Sequence, residues 1–249
     1  MKHLEHCDAL ELEITTFVDV LSSADQAVNV PSCPGWTAKD VAEHLGLIHR
    51  WATSLVERRA PARISFAELG LTSADATPQW LQEGGHDLVV ALRACDPDAS
   101  MWAWGPDQHA RFWSRRQLHE TLVHRMDLEL AVGRVPRAPA VVAIDAIDEF
   151  LVNLGSAQRF SPKVKELRGR GERVGFRVLD GDARWTVTLL DDRFVVADDD
   201  DGDVDAELSG GAIDLLLTLY RRTPLAVADV RVEGEKALVD YWIDHSALE

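Results

Sequence analysis

Glu120 and His124 stand four residues apart in Arg115-Arg116-Gln117-Leu118-His119-Glu120-Thr121-Leu122-Val123-His124-Arg125-Met126-Asp127, a run that reads as helix. Four residues make about one helical turn, so both side chains leave the same face. A carboxylate and an imidazole converging there can hold a divalent metal. Asp127, three residues further on, shares that face. Two donors on one helix hold a metal poorly, so a third is expected from a neighbouring helix. His44 and His49 are of the right type, but they lie about 140° apart round a helix, so both do not easily face one site. Three nitrogen and oxygen donors with an open position form the pattern of a catalytic zinc site, where water or substrate takes the remaining place. Nickel or another borderline divalent ion suits the same donors. The bland alternative is a solvated Glu/His pair on an exposed helix.

The elements that must position these residues are mostly helical in the first half. Residues 4–21 carry Leu10, Ile14, Phe17, Val18 and Leu21 near the 3.6 period. Pro31-Ser32-Cys33-Pro34-Gly35-Trp36 punctuates, and Thr37 with Asp40 three residues on caps a second helix running to about residue 57. Residues 60–77 read as a connection, 78–95 as a third helix with Pro78 in its first turn, and 96–112 as a Pro/Gly/Trp loop. A fourth helix over 113–132 carries Glu120 and His124 and is closed by Gly133. Four such helices predict an antiparallel bundle over 1–137. Pro136 and Pro139 mark a break, and a smaller α+β domain with an antiparallel sheet is expected over 138–249. It comprises a helix over 140–154, strands over 174–179, 185–190, 193–197, 206–208 and 230–232, and helices over 212–220 and 235–245. Asp180-Gly181-Asp182 is the turn between its first two strands.

Composition narrows the function classes. The chain has 249 residues, 46% of them hydrophobic, which is the balance of a soluble globular protein. No apolar run approaches the roughly 20 residues that span a membrane. The N-terminus lacks the apolar core of a signal peptide, so a cytoplasmic setting is expected. A net charge of −16 argues against nucleic acid and anionic membrane as partners. Cys7, Cys33 and Cys95 form no CxxC pair, so neither a disulfide framework nor a thiolate zinc cluster is expected. Asp198-Asp199-Asp200-Asp201-Gly202-Asp203 looks like a calcium loop at first. With Gly202 in the glycine position, however, the first and last ligands would be Ala197 and Leu208, so a solvated hairpin loop is the better account.

Two strings carry a resemblance. Cys33-Pro34-Gly35-Trp36-Thr37-Ala38-Lys39-Asp40-Val41-Ala42-Glu43-His44-Leu45 resembles the N-terminal signature of the mycothiol-dependent maleylpyruvate isomerase family, one of the DinB-like metal-binding bundles. The string from His119 to Asp127 looks like its second signature. In the C-terminal part, Asp214 to Arg222 and Val232 to Leu238 match the sterol-carrier-like domain that these proteins often carry. The resemblance implies His44, Glu120 and His124 as metal ligands, zinc as the metal, and mycothiol as cosubstrate. It implies Arg222 as a catalytic, carboxylate-binding residue. Trp36 and Arg222 are the expected cofactor contacts. Arg221 stands where relatives often have a small residue, and an Arg at a helix C-terminus is also a common dipole partner.

The chemistry implied is activation of a thiol. A thiol is mostly protonated near pH 7, since its pKa is about 8.5, and a divalent metal that binds the sulfur deprotonates it. The thiolate can then add to an electrophilic carbon. In the isomerase it adds to a conjugated double bond, permits rotation and leaves; in an S-transferase it stays. Two other readings stand beside this one: a family member recruited to another metal-dependent reaction, and a non-catalytic metal-binding regulatory module. The partners expected are a small electrophile and a thiol, on a monomer or homodimer. Around the site, Asp127 reads equally as a support for His124 and as a partner of Arg125 or a cap of a neighbouring helix. His119 reads as packing or surface. Cys33 reads as a small buried apolar residue before a reactive thiol. Trp102, Trp104 and Trp113, like Trp36, sit at loop–helix junctions, where Trp is more often core than pocket lining. Arg115, Arg116 and Arg125 near the metal helix are alternatives to Arg222 as substrate-binding cations, but read first as surface or interdomain ion pairs.

Overall fold

A computed structural model describes residues 1–72, 76–198 and 202–246. Asp199, Asp200 and Asp201, the middle of the acidic run read as a calcium or hairpin loop, lie outside them. The chain forms two compact units, Met1–Arg137 and Ala138–Glu249.

In the first unit, α1 spans His3–Ser23, α2 Ala38–Arg58, α3 Pro78–Ala94 and α4 Ala110–Ala131. Local signals set three of the starts. The Thr37 side chain accepts from the Asp40 backbone N–H while the Asp40 carboxylate accepts the Thr37 N–H at 2.7 Å. Such a cap satisfies N–H groups that the first helical turn leaves open and contributes about 1 kcal/mol. Thr77 caps α3, with Pro78 in the first turn where its missing N–H costs nothing. α4 begins at Ala110, three residues before the expected start, because the loop ahead of it closes as a hairpin. Met101 N–H donates to the Gln108 carbonyl at 3.0 Å, and the Gln108 side chain ties the Ala103 and Gly105 backbone. The last loop residue, His109, is thereby delivered straight into the helix.

α1 packs on α3 and α4, and α2 packs on the same two, so α1 and α2 occupy opposite corners of the bundle. The α2/α3 contact is close. Gly46 on α2 lies under the Trp80 ring, where a Cβ would stand 2.1 Å from the nearest ring carbon. Arg50, one turn further along α2, places its guanidinium 3.9 Å from the Trp80 ring centroid. α4 is buried on nearly every face and carries polar residues inward, including Arg116, Gln117, His119, Thr121, Arg125, Asp127 and Glu129. A helix buried all round must pair such groups internally. Arg125, only 2% exposed, does so with Glu13 on α1 at 2.5 Å and Glu129 at 2.6 Å. This corrects its expected place at the surface.

The second unit contains α5 (Ala140–Leu154), two short 3-10 turns (Gly155–Arg159 and Pro162–Glu166), β1 (Arg173–Val178), β2 (Arg184–Leu189), β3 (Phe194–Asp198), β4 (Ala206–Gly210), α6 (Ala212–Leu219), β5 (Val230–Gly234) and α7 (Lys236–His245). The sheet order is β3-β2-β1-β4-β5. Neighbours pair antiparallel except β1 and β4, which run parallel with Val174 opposite Ala206. Asp205 locks that register, its carboxylate accepting the Arg173 N–H at 2.7 Å. Val174, Phe176 and Val178 point into the core, and Phe176 and Phe194 pack on Trp242 of α7 at 5.5 and 5.6 Å. Among the described residues no helix is long and apolar enough to cross a membrane.

Candidate metal centre

The donors converge at the packed surfaces of α2 and α4. His44 leaves the second turn of α2; Glu120 and His124 leave successive turns of α4. His44 Nε2 is 3.2 Å from Glu120 Oε1, and His124 Nε2 is 3.4 Å from the same oxygen. The three donor atoms lie within 4.8 Å of one another. Donors at zinc–nitrogen and zinc–oxygen bond lengths in a tetrahedron stand about 3.3 Å apart, so this spacing fits one cation with two imidazoles and a carboxylate. The side chains keep 31%, 23% and 12% of their exposure, so a ligand can reach the remaining position.

Two of the donors, Glu120 and His124, are held from behind. Arg116, one turn before Glu120, donates to Glu120 Oε2 at 2.8 Å and leaves Oε1 for the two histidines. Burial alone would push the Glu120 carboxyl up, but Arg116 and hydrogen bonds from His124 and His44 hold it well below the usual carboxylate range. Burial would lower His124, yet Asp127, Cys33 and Glu120 around it hold the imidazole well above its usual value. A cation arriving at Nε2 would have to displace that proton. His124 Nδ1 faces Asp127 Oδ2 at 3.0 Å. Trp36 lies against both histidines, 5.1 Å from the His44 ring and stacked 6.4 Å from the His124 ring.

Trp36 is delivered by a turn the sequence spells out. Trp36 N–H donates to the Cys33 carbonyl at 3.0 Å, with Pro34 and Gly35 between them and Gly35 at φ +85°. Proline sets the first central residue of such a turn, and glycine takes the positive φ of the second without strain.

The other histidines are elsewhere. His49 is fully buried, with Nε2 2.9 Å from Thr121 Oγ1. The Thr121 hydroxyl donates to the Gln117 carbonyl at 2.7 Å, so it accepts from His49 Nε2–H, and the ring is neutral. Burial brings its pKa down to about 3. His119 is buried with its ring edge-on to His6 at 6.3 Å. Arg222 belongs to the second unit. It donates from Nη1 to the Tyr220 carbonyl at 2.9 Å and lies 5.8 Å from the Tyr220 ring. Trp113 is fully buried, in contact with Trp51, Trp102 and Phe112.

Sequence reasoning missed Arg116, read as a surface or interdomain pair although its i, i+4 spacing to Glu120 was visible. It is 5% exposed and sits behind the donors. It also missed Ser32, whose hydroxyl donates to Asp127 Oδ1 at 2.6 Å.

Comparison with known proteins finds one family along both units. Residues 7–129 match the model of the mycothiol maleylpyruvate isomerase N-terminal domain, and residues 137–240 match that of the MDMPI C-terminal domain. No curated protein matches the chain. Among solved structures, the crystal structure of the mycothiol-dependent maleylpyruvate isomerase is similar at 17% identity and TM-score 0.61, covering 94% of this chain and 95% of that one. A histidine-to-alanine mutant of that isomerase is similar at 17% identity and TM-score 0.62, with the same coverage. At this identity the structures share the fold, and the domain models span both units: the chain belongs to the mycothiol maleylpyruvate isomerase family.

Proposed function

We propose that this protein is a metal-dependent enzyme that uses mycothiol to isomerise a small unsaturated dicarboxylate such as maleylpyruvate, or to form a thioether with a related electrophile. The observation that carries the reading is the convergence of His44 Nε2, Glu120 Oε1 and His124 Nε2 within 4.8 Å on a partly open surface. Zinc is the ion the family resemblance implies, and two nitrogens and one oxygen suit it as they suit other borderline divalent ions. A bound divalent ion would supply Lewis acidity, holding a thiol as the thiolate at neutral pH.

The protein's own residues do the rest. Glu120 presents one oxygen to both histidines because Arg116 occupies the other. Trp36 covers one side of the histidine pair and keeps water from that side. The thiolate sulfur adds to the electrophilic carbon of a conjugated double bond. Rotation about the resulting single bond followed by loss of sulfur gives isomerisation; protonation of the neighbouring carbon gives the thioether. Arg222 is proposed as a carboxylate-binding residue, the planar fork of its guanidinium suiting that group. Cys7, Cys33 and Cys95 are free thiols, which suits a reducing, cytoplasmic setting.

Metal analysis of the purified protein, followed by incubation with mycothiol and maleylpyruvate, tests the reading. About one divalent ion per chain and thiol-dependent formation of the trans isomer are expected. A thioether adduct in place of the isomer would select the transferase branch. A metal-free protein that does neither would sink the proposal.

A further inference from the structure

We propose that Asp127 is a positioning residue that fixes the metal-facing side of His124, and that Ser32 and Cys33 hold Asp127 in place for it. The proposal deepens the metal reading above and rests on it.

Asp127 is fully buried, and its carboxylate gathers donors from two directions. From its own helix, His124 Nδ1 approaches Oδ2 at 3.0 Å. From the turn ahead of α2, Ser32 Oγ donates to Oδ1 at 2.6 Å and Cys33 Sγ donates to Oδ2 at 3.4 Å. A carboxylate only accepts, so it requires the hydrogen on His124 Nδ1. That choice leaves Nε2, which faces Glu120 Oε1, as the nitrogen that gives up its proton and offers its lone pair to a cation. Partners of this kind orient a ligating imidazole and fix its tautomer.

The connection has a second effect. Cys33 and Ser32 begin the turn that leads into α2, which carries His44, whereas Asp127 sits on the helix of Glu120 and His124. Asp127 therefore ties the turn before one ligand helix to the other, and the three donors are pre-set before any cation arrives. Cys33, His124 and Asp127 also place ligand atoms within 4.8 Å of one another. The hydrogen bonds to Asp127 account for that closeness, so this trio is read as support for the first site.

Cobalt(II) substitution gives the test, because the visible d–d absorption of cobalt reports ligand geometry independently of catalysis. Wild type, Asp127→Asn, Ser32→Ala and His124→Ala are freed of metal and titrated with cobalt against a competing chelator. Asp127→Asn is expected to weaken cobalt binding about 10- to 100-fold and to change the absorption. Ser32→Ala is expected to weaken it in the same direction by a smaller factor, and His124→Ala to abolish stoichiometric binding. Nitrogen-15 NMR of zinc-loaded wild type is expected to find the His124 proton on Nδ1, a readout independent of whether a variant folds. Wild-type affinity and absorption in both Asp127→Asn and Ser32→Ala would overturn the proposal, as would an unprotonated Nδ1. Two cobalt ions per wild-type chain, one of them lost in Cys33→Ser, would overturn it too. If wild type itself takes up no cobalt, the metal reading fails instead.

Discussion

At the residue scale, the three proposed donors and one buried histidine each make a prediction. Removing a donor leaves two, which do not hold a metal. His44→Ala and Glu120→Gln are each expected to lose stoichiometric metal and at least about 100-fold in activity, since ligands and their close partners have effects of that size. Elemental analysis with steady-state kinetics checks this, and full metal content in either variant would remove that residue from the ligand set. His49 makes a separate prediction. Its folded pKa is about 3 against an ordinary 6.5, because burial disfavours the charged ring. Between those values the unfolded chain binds one proton more than the folded one. The stability it contributes is therefore fully present above 6.5 and is lost as the pH falls toward 3, by up to about 1.4 kcal/mol per pH unit. Urea unfolding of metal-free wild type and His49→Gln across this range should differ in slope by up to one proton. Parallel curves would contradict the burial argument.

At the element scale, local signals were legible and pairings were not. The Thr37/Asp40 cap and the first-turn Pro78 depend on neighbours in sequence, and both are as expected. The parallel pairing of β1 with β4 joins strands remote in sequence and has no local signature. The same holds for the site. Glu120 and His124 were visible as one turn of helix, but His44 joins them only because α2 packs on α4, which the family resemblance implied and the apolar period did not. Arg116 and Arg125 were misplaced at the surface because Arg usually lies there, whereas α4 buries both. Two substitutions test this packing. Arg125→Ala leaves Glu13 and Glu129 buried without their partner and should cost about 3–5 kcal/mol. Gly46→Ala drives a methyl into the Trp80 ring and should cost about 1–3 kcal/mol. Denaturant midpoints measure both, and a change under about 0.5 kcal/mol, the range of ordinary surface substitutions, would argue against the contact concerned.

At the scale of the whole molecule, all three donors lie in Met1–Arg137 and Arg222 lies in Ala138–Glu249. Because Arg222 is proposed to bind a carboxylate, Arg222→Ala is expected to raise KM for a dicarboxylate about tenfold or more, the loss of about 1.4 kcal/mol or more of a charge-assisted contact, with metal content unchanged. An unaltered KM would remove Arg222 from the substrate site. The buried pairing of Glu13 with Arg125 joins residues 112 positions apart, and it sets a condition on biosynthesis. A ribosome delivers α1 long before α4, and α1 shares no long face with α2. The apolar side of the first helix, with Leu10, Ile14 and Phe17, must wait for α3 and then for the last helix of its unit to emerge. Contacts at such separation are slow to form and leave apolar surface open meanwhile. A nascent chain arrested before residue 110 is thus a natural client for chaperones, although every element in it is a helix.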